Sequence, residues 1–327
     1  MAMVFESVSE KMEHLMEQPL VSIIIPTYNR AQLLLETLRS ISEQTFGNWE
    51  CIVVDDGSSD DTEMLLKRMV SEDNRFRYYE RPAALPKGAN ACRNYGFEQA
   101  NGTLINWFDS DDLMHPEKLQ RQVAALQQQQ VPFTVCQTLV FQDTPENILG
   151  LRKDAIASED FFNDFIQNKI KWLTQAPLLR RDFVDAENLR FDPSLARSQE
   201  RDFFVRVLSK VSEYHTDDTP LVYFRKHSDS ISNGPATIEK IHATFRVNFN
   251  ILQTYRSRLT EASMLYLKIH MKRDLAQLLH NKAWEIALSE INAMRDEKMI
   301  TTAEYTKMRL GILSFKVFGK GTVFITS

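Results

Sequence analysis

Three short apolar runs, each followed at once by a polar turn, set the strongest constraint on the fold of this 327-residue chain. The run at 21–25 is rich in β-branched residues and ends at Pro26. The run at 51–54 leads into two aspartates and a glycine, and the run at 104–108 ends abruptly in Asp109. Short runs that are apolar at nearly every position predict buried strands of a parallel sheet, because such strands are covered on both faces.

Helical patterns separate these runs. Leu34, Leu35, Leu38 and Ile41 recur at helical spacing after the first run, which predicts an amphipathic helix there. Another helix is expected over about 89–100, ending at Asn101-Gly102, a pair typical of a left-handed C-cap. The alternation of strands and helices predicts an α/β protein with a doubly wound sheet.

The acidic turn WFDSDD at 107–112 is a candidate cation site. Open α/β sheets bind ligands at the carboxyl ends of their strands. Asp109, Asp111 and Asp112 would repel one another there unless a cation lies between them, and Mg2+ and Mn2+ take oxygen ligands while holding substrate phosphates. An acidic cluster after a strand is also often a helix N-cap or a solvated loop. Asp112 fits that alternative, because Pro116 begins a helix-like stretch.

Four segments of the chain resemble the family 2 glycosyltransferases of GT-A fold. They are VSIIIPTYNRAQLLLETLRSISEQTF, ECIVVDDGSSDDT, NACRNYGFEQANG and INWFDSDDLMHPEKL, which cover residues 20–120 almost without a gap. A weaker similarity continues to about residue 233. The resemblance implies a GT-A doubly wound, mostly parallel central sheet flanked by helices and followed by a C-terminal helical region. It also implies inverting transfer of a sugar from a nucleoside diphosphate, usually UDP, to a glycan hydroxyl.

The resemblance implies a nucleotide-sugar site at the turns after the first two strands. The residues that match it are Pro26, Thr27, Tyr28, Arg30, Asp55, Asp56, Lys87, Arg93, Asp109 and Ser110. Asp56 is expected to accept the uracil N3–H, since a carboxylate makes a strong charge-assisted hydrogen bond. Lys87 and Arg93 are expected to meet the diphosphate. A turn-and-cap role stays open for Asp55 and Asp56, and a structural ion pair stays open for Arg93.

The DXD motif of the family matches Asp109-Ser110-Asp111, which implies a bound Mn2+ or Mg2+ ion. The implied metal ligands are Asp111, which coordinates directly, Asp109, which contacts the ribose or acts through water, and His227. Such a metal neutralises the charge that builds on the leaving nucleoside diphosphate. His227 is equally compatible with an ordinary loop residue.

The resemblance places the catalytic base at Glu200. Family members carry an acidic pair that opens a helix in the second half of the domain, and here that place holds Gln199-Glu200. Because the first acid is missing, Asp202 is the alternative base for the acceptor hydroxyl. Both residues can equally be first-turn acids that interact favourably with the helix dipole.

The acceptor side of the family matches the segment that contains Trp172, Thr174 and Gln175. Trp172 can equally lie in the core. The predicted domains are an N-terminal leader at 1–19, a GT-A domain at 20–233 with a nucleotide-sugar half (20–120) and an acceptor half (121–233), and a C-terminal helical extension at 234–327. Residues 236–310 contain neither Gly nor Pro, which predicts packed helices.

The sequence lacks an apolar run long enough to cross a membrane, and its opening residues lack the apolar stretch of a signal peptide. Cys51, Cys92 and Cys136 are widely separated, which predicts buried thiols in a reducing compartment. A cytoplasmic protein is therefore expected. The absent spans, together with the absent QXXRW motif, count against a processive polysaccharide synthase. A net charge of −5 argues against general nucleic-acid binding.

The segment 301–327 carries four basic residues against one acidic residue, a net charge of +3, interleaved with apolar residues. Such a segment can lie on an anionic membrane surface, which predicts peripheral contact with the inner face of the plasma membrane. It can equally pack on its own domain or on a second subunit, so a homodimer stays open. The expected substrates are a nucleoside-diphosphate sugar donor and a glycan or lipid-linked glycan acceptor of a bacterial cell-surface polysaccharide pathway.

Two other classes of function stay open. A sugar nucleotidyltransferase on a similar sheet is disfavoured, because Pro26-Thr27-Tyr28-Asn29 is not the Gly-rich basic loop that follows the first strand in those enzymes. A non-catalytic module that binds a sugar nucleotide or a glycan would be compatible with Gln199 at the place of the first acid.

Overall fold

The computed structural model describes residues 20–227 and 236–326, so the predicted leader at 1–19 lies outside the described residues. The chain divides into two compact units that are interleaved in sequence. The first contains the residues up to Val140 together with Thr174–Asn188 and Glu213–Arg225. The second contains Phe141–Leu173, Leu189–Ser212 and the residues from Lys226 onward.

The first unit is built on a mixed sheet. Its strands are β1 (Val21–Thr27), β2 (Trp49–Asp55), β3 (Phe76–Glu80), β4 (Leu104–Trp107), β5 (Leu113–Met114), β6 (Phe133–Gln142), β8 (Pro177–Arg180) and β9 (His215–Lys226), of which β6 and β9 end in the second unit. They lie in the order β3-β2-β1-β4-β8-β6-β9-β5. β3, β2, β1 and β4 pair in parallel, whereas β4 with β8, β8 with β6, and β5 with β9 pair in antiparallel. The predicted α/β class is confirmed. Antiparallel strands continue the sheet beyond its parallel half.

The helices of the first unit follow the predicted alternation. They are α1 (Ala31–Ser42), α2 (Thr62–Glu72), α3 (Ala89–Gln99), α4 (Lys118–Gln128) and α6 (Arg181–Ala186). Leu34, Leu38 and Ile41 are fully buried on one face of α1, as their spacing predicts. The edge strand β3 does not appear in the apolar pattern, because only Phe76 of its five residues is buried.

β1 extends through Pro26 to Thr27, two residues further than the apolar run. Proline lacks the N–H that a central strand donates to its neighbour. Its position is tolerated here because β4 pairs with β1 only as far as Ile24, opposite Trp107. The remaining partner, β2, continues alongside to the pairing of Thr27 with Asp55.

The predicted left-handed C-cap at Asn101-Gly102 is wrong. α3 ends at Gln99, its C-cap Ala100 is extended, and neither Asn101 nor Gly102 has a positive φ. Gly102 instead lies against the start of β1, where its N–H donates to Ser22 Oγ at 2.8 Å. A Cβ at Gly102 would lie 2.7 Å from the Leu20 carbonyl oxygen, so close approach rather than backbone conformation requires glycine.

The second unit consists mainly of helices. Its elements are β7 (Ile148–Leu151), α5 (Phe161–Ile166), α7 (Gln199–Leu208), α8 (Ile238–Thr254), α9 (Glu261–His280), α10 (Trp284–Asp296), α11 (Thr302–Phe318) and α12 (Val323–Thr326). The predicted helices of the stretch without Gly or Pro are confirmed as α8 to α11. Threonine N-caps begin three of them, since the Thr237, Thr260 and Thr301 side chains each accept a backbone N–H of the first turn.

The three cysteines are all buried, as predicted. Among the helices in the described ranges, none combines the length and the apolar character that a bilayer crossing would need.

We expect Gly102→Ala to lower the free energy of unfolding by about 1–3 kcal/mol, because the added methyl group must displace the backbone of β1. Gly47→Ala is the matched control, since a Cβ at Gly47 meets nothing within 4 Å. Chemical denaturation of both variants measures the difference. Equal midpoints for Gly102→Ala and Gly47→Ala would contradict the close approach at Gly102.

Candidate functional site

The three polar turns predicted from sequence meet at one edge of the sheet of the first unit. β1 and β2 end side by side, with Thr27 opposite Asp55, and Phe108 after β4 donates its N–H to the Ile24 carbonyl at 2.9 Å. Thr27 is the last residue of β1, and its hydroxyl oxygen is buried and makes no hydrogen bond to any described residue. This edge is where an α/β sheet ordinarily binds ligands.

The turns after β1 and β2 are held together by a short hydrogen-bond network. Asn29 has a left-handed backbone (φ 48°) and donates its N–H to Ser58 Oγ at 2.8 Å. Ser59 returns a backbone N–H to Asn29 Oδ1 at 2.7 Å. A non-glycine residue in this conformation is uncommon and persists only when its surroundings fix it. Tyr28, next to Asn29, leaves 52 % of its surface exposed at this edge.

Asp55 has the turn role that the sequence left open for it. Its Oδ1 accepts the backbone N–H of Ser58 at 3.0 Å and the Ser58 hydroxyl at 2.6 Å. The residue is buried, with 3 % of its surface exposed. Asp55 therefore fixes the turn by holding Ser58, whose hydroxyl oxygen accepts the N–H of Asn29.

Asp56 lies at the entrance of α3. Its Oδ2 accepts the N–H of Gly88 at 2.8 Å, and its Oδ1 forms an ion pair with Arg81. Sequence reasoning missed Arg81, which directly follows the unpredicted edge strand β3. Lys87 is exposed beside Gly88, whose φ of 125° few residues other than glycine adopt. The proposed contact of Asp56 with uracil stays a prediction.

Two arginines form ion pairs with the two partly exposed acids of the acidic turn, Asp109 and Asp111. Arg93 Nη2 lies 2.8 Å from Asp109 Oδ1, and Arg30 forms an ion pair with Asp111. Arg93 is buried and also donates to Asn90 Oδ1 at 3.1 Å, so the ion pair left open for it is present. The site thus contains carboxylates for a cation and guanidinium groups for an anion at the same place.

Asp112 is neither a helix cap nor part of a solvated loop, so that interpretation of it is wrong. The side chain is fully buried, and the N-cap of α4 is Glu117. Burial raises the pKa of Asp112 well above its ordinary value, and the charges of Asp111 and Asp109 raise it further. The carboxylate accepts hydrogen bonds from Gln175 Nε2 and, at 2.8 Å, from the backbone N–H of Arg225.

Arg225 fixes the acidic turn from β9. Its Nε donates to the Asp111 carbonyl at 3.0 Å, while Nη2 pairs with Glu36 of α1. The residue is 4 % exposed. Sequence reasoning missed Arg225, and the only local signal is an arginine directly after the apolar stretch 221–224 of β9. Together with Gln175 it makes Asp112 the internal support of the turn.

The acidic turn suits a metal that is shared with a ligand. The side chains of Asp109 and Asp111 are 25 % and 14 % exposed, whereas Ser110 and Asp112 are buried. Within the ranges that the structure describes, no three His, Cys, Asp or Glu side chains are grouped closely enough to enclose a metal ion. One or two carboxylates plus substrate phosphates and water are an ordinary Mg2+ environment, so the residues present fit.

The remaining predicted site residues belong to the second unit. Glu200 and Asp202 lie in the first turn of α7, after Ser198, whose φ is 63°. Asp202 Oδ2 pairs with Arg206 Nη2 at 2.7 Å, four residues along the same helix. Asp202 is therefore engaged in a helix-surface ion pair. His227 directly follows β9 and is partly buried.

Glu200 lies close to Lys171 in the second unit. Burial lowers the pKa of Lys171 below its ordinary value, the charge of Glu200 opposes that shift, and the charges of Arg152, Arg201 and Lys153 add to it. The backbone N–H of Lys171 donates to the Ala155 carbonyl at 3.4 Å, which places the segment after β7 next to Lys171.

Trp172, Thr174 and Gln175 line no open surface. Trp172 is buried in the second unit, with ring centroids 4.8 Å from Phe165 and 5.9 Å from Phe204, which is the core role that the sequence left open. Thr174 and Gln175 are fully buried in the first unit.

The profile of Glycosyl transferase family 2 matches residues 22–190, more than half of the chain. EpsH of Bacillus subtilis (strain 168), to which a glycosyltransferase activity is provisionally assigned, is 27 % identical over 277 residues, 78 % of this chain and 77 % of EpsH. WfgD of Escherichia coli, a UDP-Glc:alpha-D-GlcNAc-diphosphoundecaprenol beta-1,3-glucosyltransferase, is 36 % identical over 118 residues, 36 % of this chain and 45 % of WfgD.

Solved structures show the same fold. TarS 1-349 of S. aureus in complex with UDP-GlcNAc superposes with a TM-score of 0.62 at 17 % identity, over 94 % of this chain and 89 % of that one. The mannosyltransferase PcManGT of Pyrobaculum calidifontis, in complex with GDP-Man and Mn2+, gives a TM-score of 0.55 at 16 % identity, over 95 % of this chain and 86 % of that one.

We expect Asp112→Ala to lower the free energy of unfolding by about 2–4 kcal/mol, because it leaves two buried donors without an acceptor. Asp112→Asn is expected to stay close to the wild type. The Oε1 of Gln175 is buried and makes no hydrogen bond to any described residue, so that amide can turn and accept from an asparagine. Chemical denaturation measures both effects. Equal losses in the two variants would contradict the support role of Asp112.

Proposed function

The chain belongs to the family 2 glycosyltransferases, and on that premise we propose that it transfers a sugar from a UDP-linked donor to a hydroxyl of a glycan or glycolipid. The transfer is a metal-dependent single displacement that inverts the anomeric carbon. The observation that carries the proposal is the acidic turn at the carboxyl end of β4, where two partly exposed aspartates are each matched by an arginine.

The donor half of the proposal assigns the nucleotide to the edge formed by β1, β2 and β4. Tyr28 offers an exposed ring for stacking on a base, and the buried Thr27 hydroxyl offers a hydrogen bond that no described residue uses. Arg81 is paired with Oδ1 of Asp56. When that ion pair opens, Oδ1 of Asp56 accepts the uracil N3–H. Arg30, Arg93 and Lys87 supply positive charge to the diphosphate.

Asp111 and Asp109, together with the donor phosphates, would hold a Mn2+ or Mg2+ ion, and His227 is the remaining protein ligand proposed for it. When bound, the ion supplies charge neutralisation at the leaving diphosphate. Arg30 and Arg93 then exchange their carboxylate partners for phosphate oxygens. Because guanidinium groups bind phosphate in a bidentate way, the exchange preserves their charge pairing.

Glu200 is proposed as the base that removes the proton from the acceptor hydroxyl. It lies in the first turn of α7, at the place of the second acid of the family pattern, and close to Lys171. Asp202 is the weaker candidate, since its carboxylate is already paired with Arg206. One base is sufficient for a single displacement, so the Gln199 that replaces the first acid of the family pattern does not exclude catalysis.

The wider setting is a cell-surface polysaccharide pathway at the inner face of the plasma membrane, with a lipid-linked glycan as the acceptor. The named substrate of WfgD, a diphosphoundecaprenol-linked sugar, supports that class of acceptor. The domain division at 20–120, 121–233 and 234–327 and a homodimer belong to the same proposal. A non-catalytic sugar-nucleotide-binding module is the competing function, and it predicts donor binding without turnover.

We expect UDP with Mn2+ or Mg2+ to raise the thermal midpoint of the wild type by about 5–10 °C at a concentration 100 times the dissociation constant. EDTA should abolish the shift, and so should Asp111→Asn, because the ion then loses its direct ligand. Differential scanning fluorimetry measures each combination. Asp61→Asn is the matched control, since Asp61 is an exposed N-cap residue whose side chain caps no N–H.

A shift that is as large with EDTA as with metal would remove the metal from the proposal. A shift with GDP or CDP but not with UDP would overturn the choice of donor. An unchanged response of Asp111→Asn would show that the acidic turn is not the metal site.

We expect Glu200→Gln to lower kcat by about 10²–10⁴-fold while leaving the metal-dependent UDP shift unchanged, because a base acts on the acceptor and not on the donor. Asp202→Asn should keep turnover and lose only a helix-surface ion pair, which is worth about 0.3–0.5 kcal/mol. Transfer from UDP-sugars to a panel of diphosphate-lipid-linked sugars measures kcat, and NMR of the product reports the anomeric configuration.

The opposite pattern, in which Glu200→Gln stays active and Asp202→Asn does not, would move the base to Asp202. Retention of the anomeric configuration would exclude the single displacement. A wild type that binds the donor and never turns over would support the binding-module alternative.

A further inference from the structure

Helix α11 presents a second apolar face on the side opposite its buried one. Met308 and Ile312 are buried on the inner side of α11, as is Gly311. Leu310, Leu313 and Val317 recur at spacings of three and four, which places them together on one side of a helix. They are 56 %, 60 % and 62 % exposed.

This end of the chain concentrates the exposed apolar surface. Thirteen large apolar side chains are exposed among the described residues, and five of them lie within the short stretch 310–324. The five are Leu310, Leu313, Val317, Phe318 and Phe324. Single exposed apolar residues are ordinary, whereas a cluster of them marks a surface that binds something. We call Leu310, Leu313 and Val317 the outer stripe.

Basic side chains border the outer stripe on both sides. Helical spacing puts Arg309 and Lys316 along one edge of the stripe and Lys307 along the other, and all three are exposed. The helix contains one acid, Glu304, in its first turn. Glu304 is occupied there, because it caps the Thr301 N–H at 2.9 Å and lies 3.6 Å from Lys272. The stripe is therefore apolar with a positive border.

The outer stripe belongs to a helix that is fixed in the second unit. α11 ends at Gly319, which has a left-handed φ of 66° and donates its N–H to the Phe315 carbonyl at 2.9 Å. The chain then turns back at Gly321, where a Cβ would overlap the Gly311 carbonyl. Ile325 is fully buried after this turn. Residues 321–325 thus pack against the inner face of α11, and the outer stripe stays exposed.

We propose that the outer stripe of α11 docks this protein on an anionic lipid bilayer surface. Only the biological role of this docking rests on the proposed function, because an acceptor anchored in a membrane would then be reached at that surface. A helix that lies in the interface buries its apolar side chains at the boundary of headgroups and acyl chains. Lys307, Arg309 and Lys316 then lie at the level of the lipid phosphates.

Charge favours a membrane over a second copy of the chain. In a two-fold dimer the same surface meets itself, so the borders of two outer stripes would bring Arg309, Lys307 and Lys316 of both copies together. Like charges at such an interface oppose association. An anionic bilayer supplies the complementary charge without any change in the helix.

The test is vesicle flotation of the full chain. We expect binding to vesicles with about 30 % phosphatidylglycerol, weak binding to pure phosphatidylcholine, and release as salt is raised. Lys307→Gln combined with Lys316→Gln should weaken binding to the anionic vesicles about 30-fold, as expected for the loss of two interfacial cations. Leu310→Ser, Leu313→Ser and Val317→Ser combined should weaken it by about 100-fold or more.

Met64→Ser with Val70→Ser is the matched control, because it removes exposed apolar surface from α2 instead. This control should bind vesicles like the wild type. Every substituted residue is exposed, so circular dichroism should report an unchanged helix content. The UDP shift should also be unchanged in the triple variant, which separates the failure of docking from the failure of the proposed function.

Three results would overturn the proposal. One is a wild type that floats equally with neutral and anionic vesicles, or with neither. Another is a triple variant that still floats. The last is a wild-type dimer in sedimentation that the triple variant converts to a monomer without loss of vesicle binding, which would make the outer stripe an interface between copies.

Discussion

The buried carboxylate of Asp112 is the constraint on which the arrangement of the candidate site depends. A carboxylate without water must receive hydrogen bonds, and Asp112 receives them from Gln175, just before β8, and from Arg225, on β9. These donors lie 63 and 113 residues further along the chain. The acidic turn can therefore take its position only when the antiparallel strands have joined the parallel half of the sheet.

Ion pairs between acids and arginines then set the electrostatics of the sheet edge. Arg30, Arg81 and Arg93 each pair with an aspartate that follows a strand. Such an edge is close to neutral, yet both signs of charge are within reach of a ligand. The proposed donor diphosphate with its divalent cation would carry one partner for the arginines and one for the carboxylates. Its binding would then exchange ion pairs without leaving a charge uncompensated.

The sequence predicts those features that depend on neighbouring residues. Apolar runs located β1, β2 and β4, and helical spacing located α1, because each pattern is local. β3 was missed because an edge strand that is half exposed has no continuous apolar run. Arg81 and Arg225 were missed, and Gln175 was assigned to the acceptor side, for another reason. Their partners are distant in sequence, and no local pattern encodes a long-range pairing. The misinterpretation of Asp112 followed directly, because its burial depends on those partners.

The long separation between Asp112 and Arg225 has a consequence for synthesis on the ribosome. At about 5–20 residues per second, Arg225 is added roughly 6–23 s after Asp112. During that interval Asp112 lacks the backbone N–H of Arg225, which has not yet been synthesised. The first unit cannot complete its packing as it emerges, and early exposure of its sheet edge makes assistance by a chaperone most useful before the second half of the chain has been made.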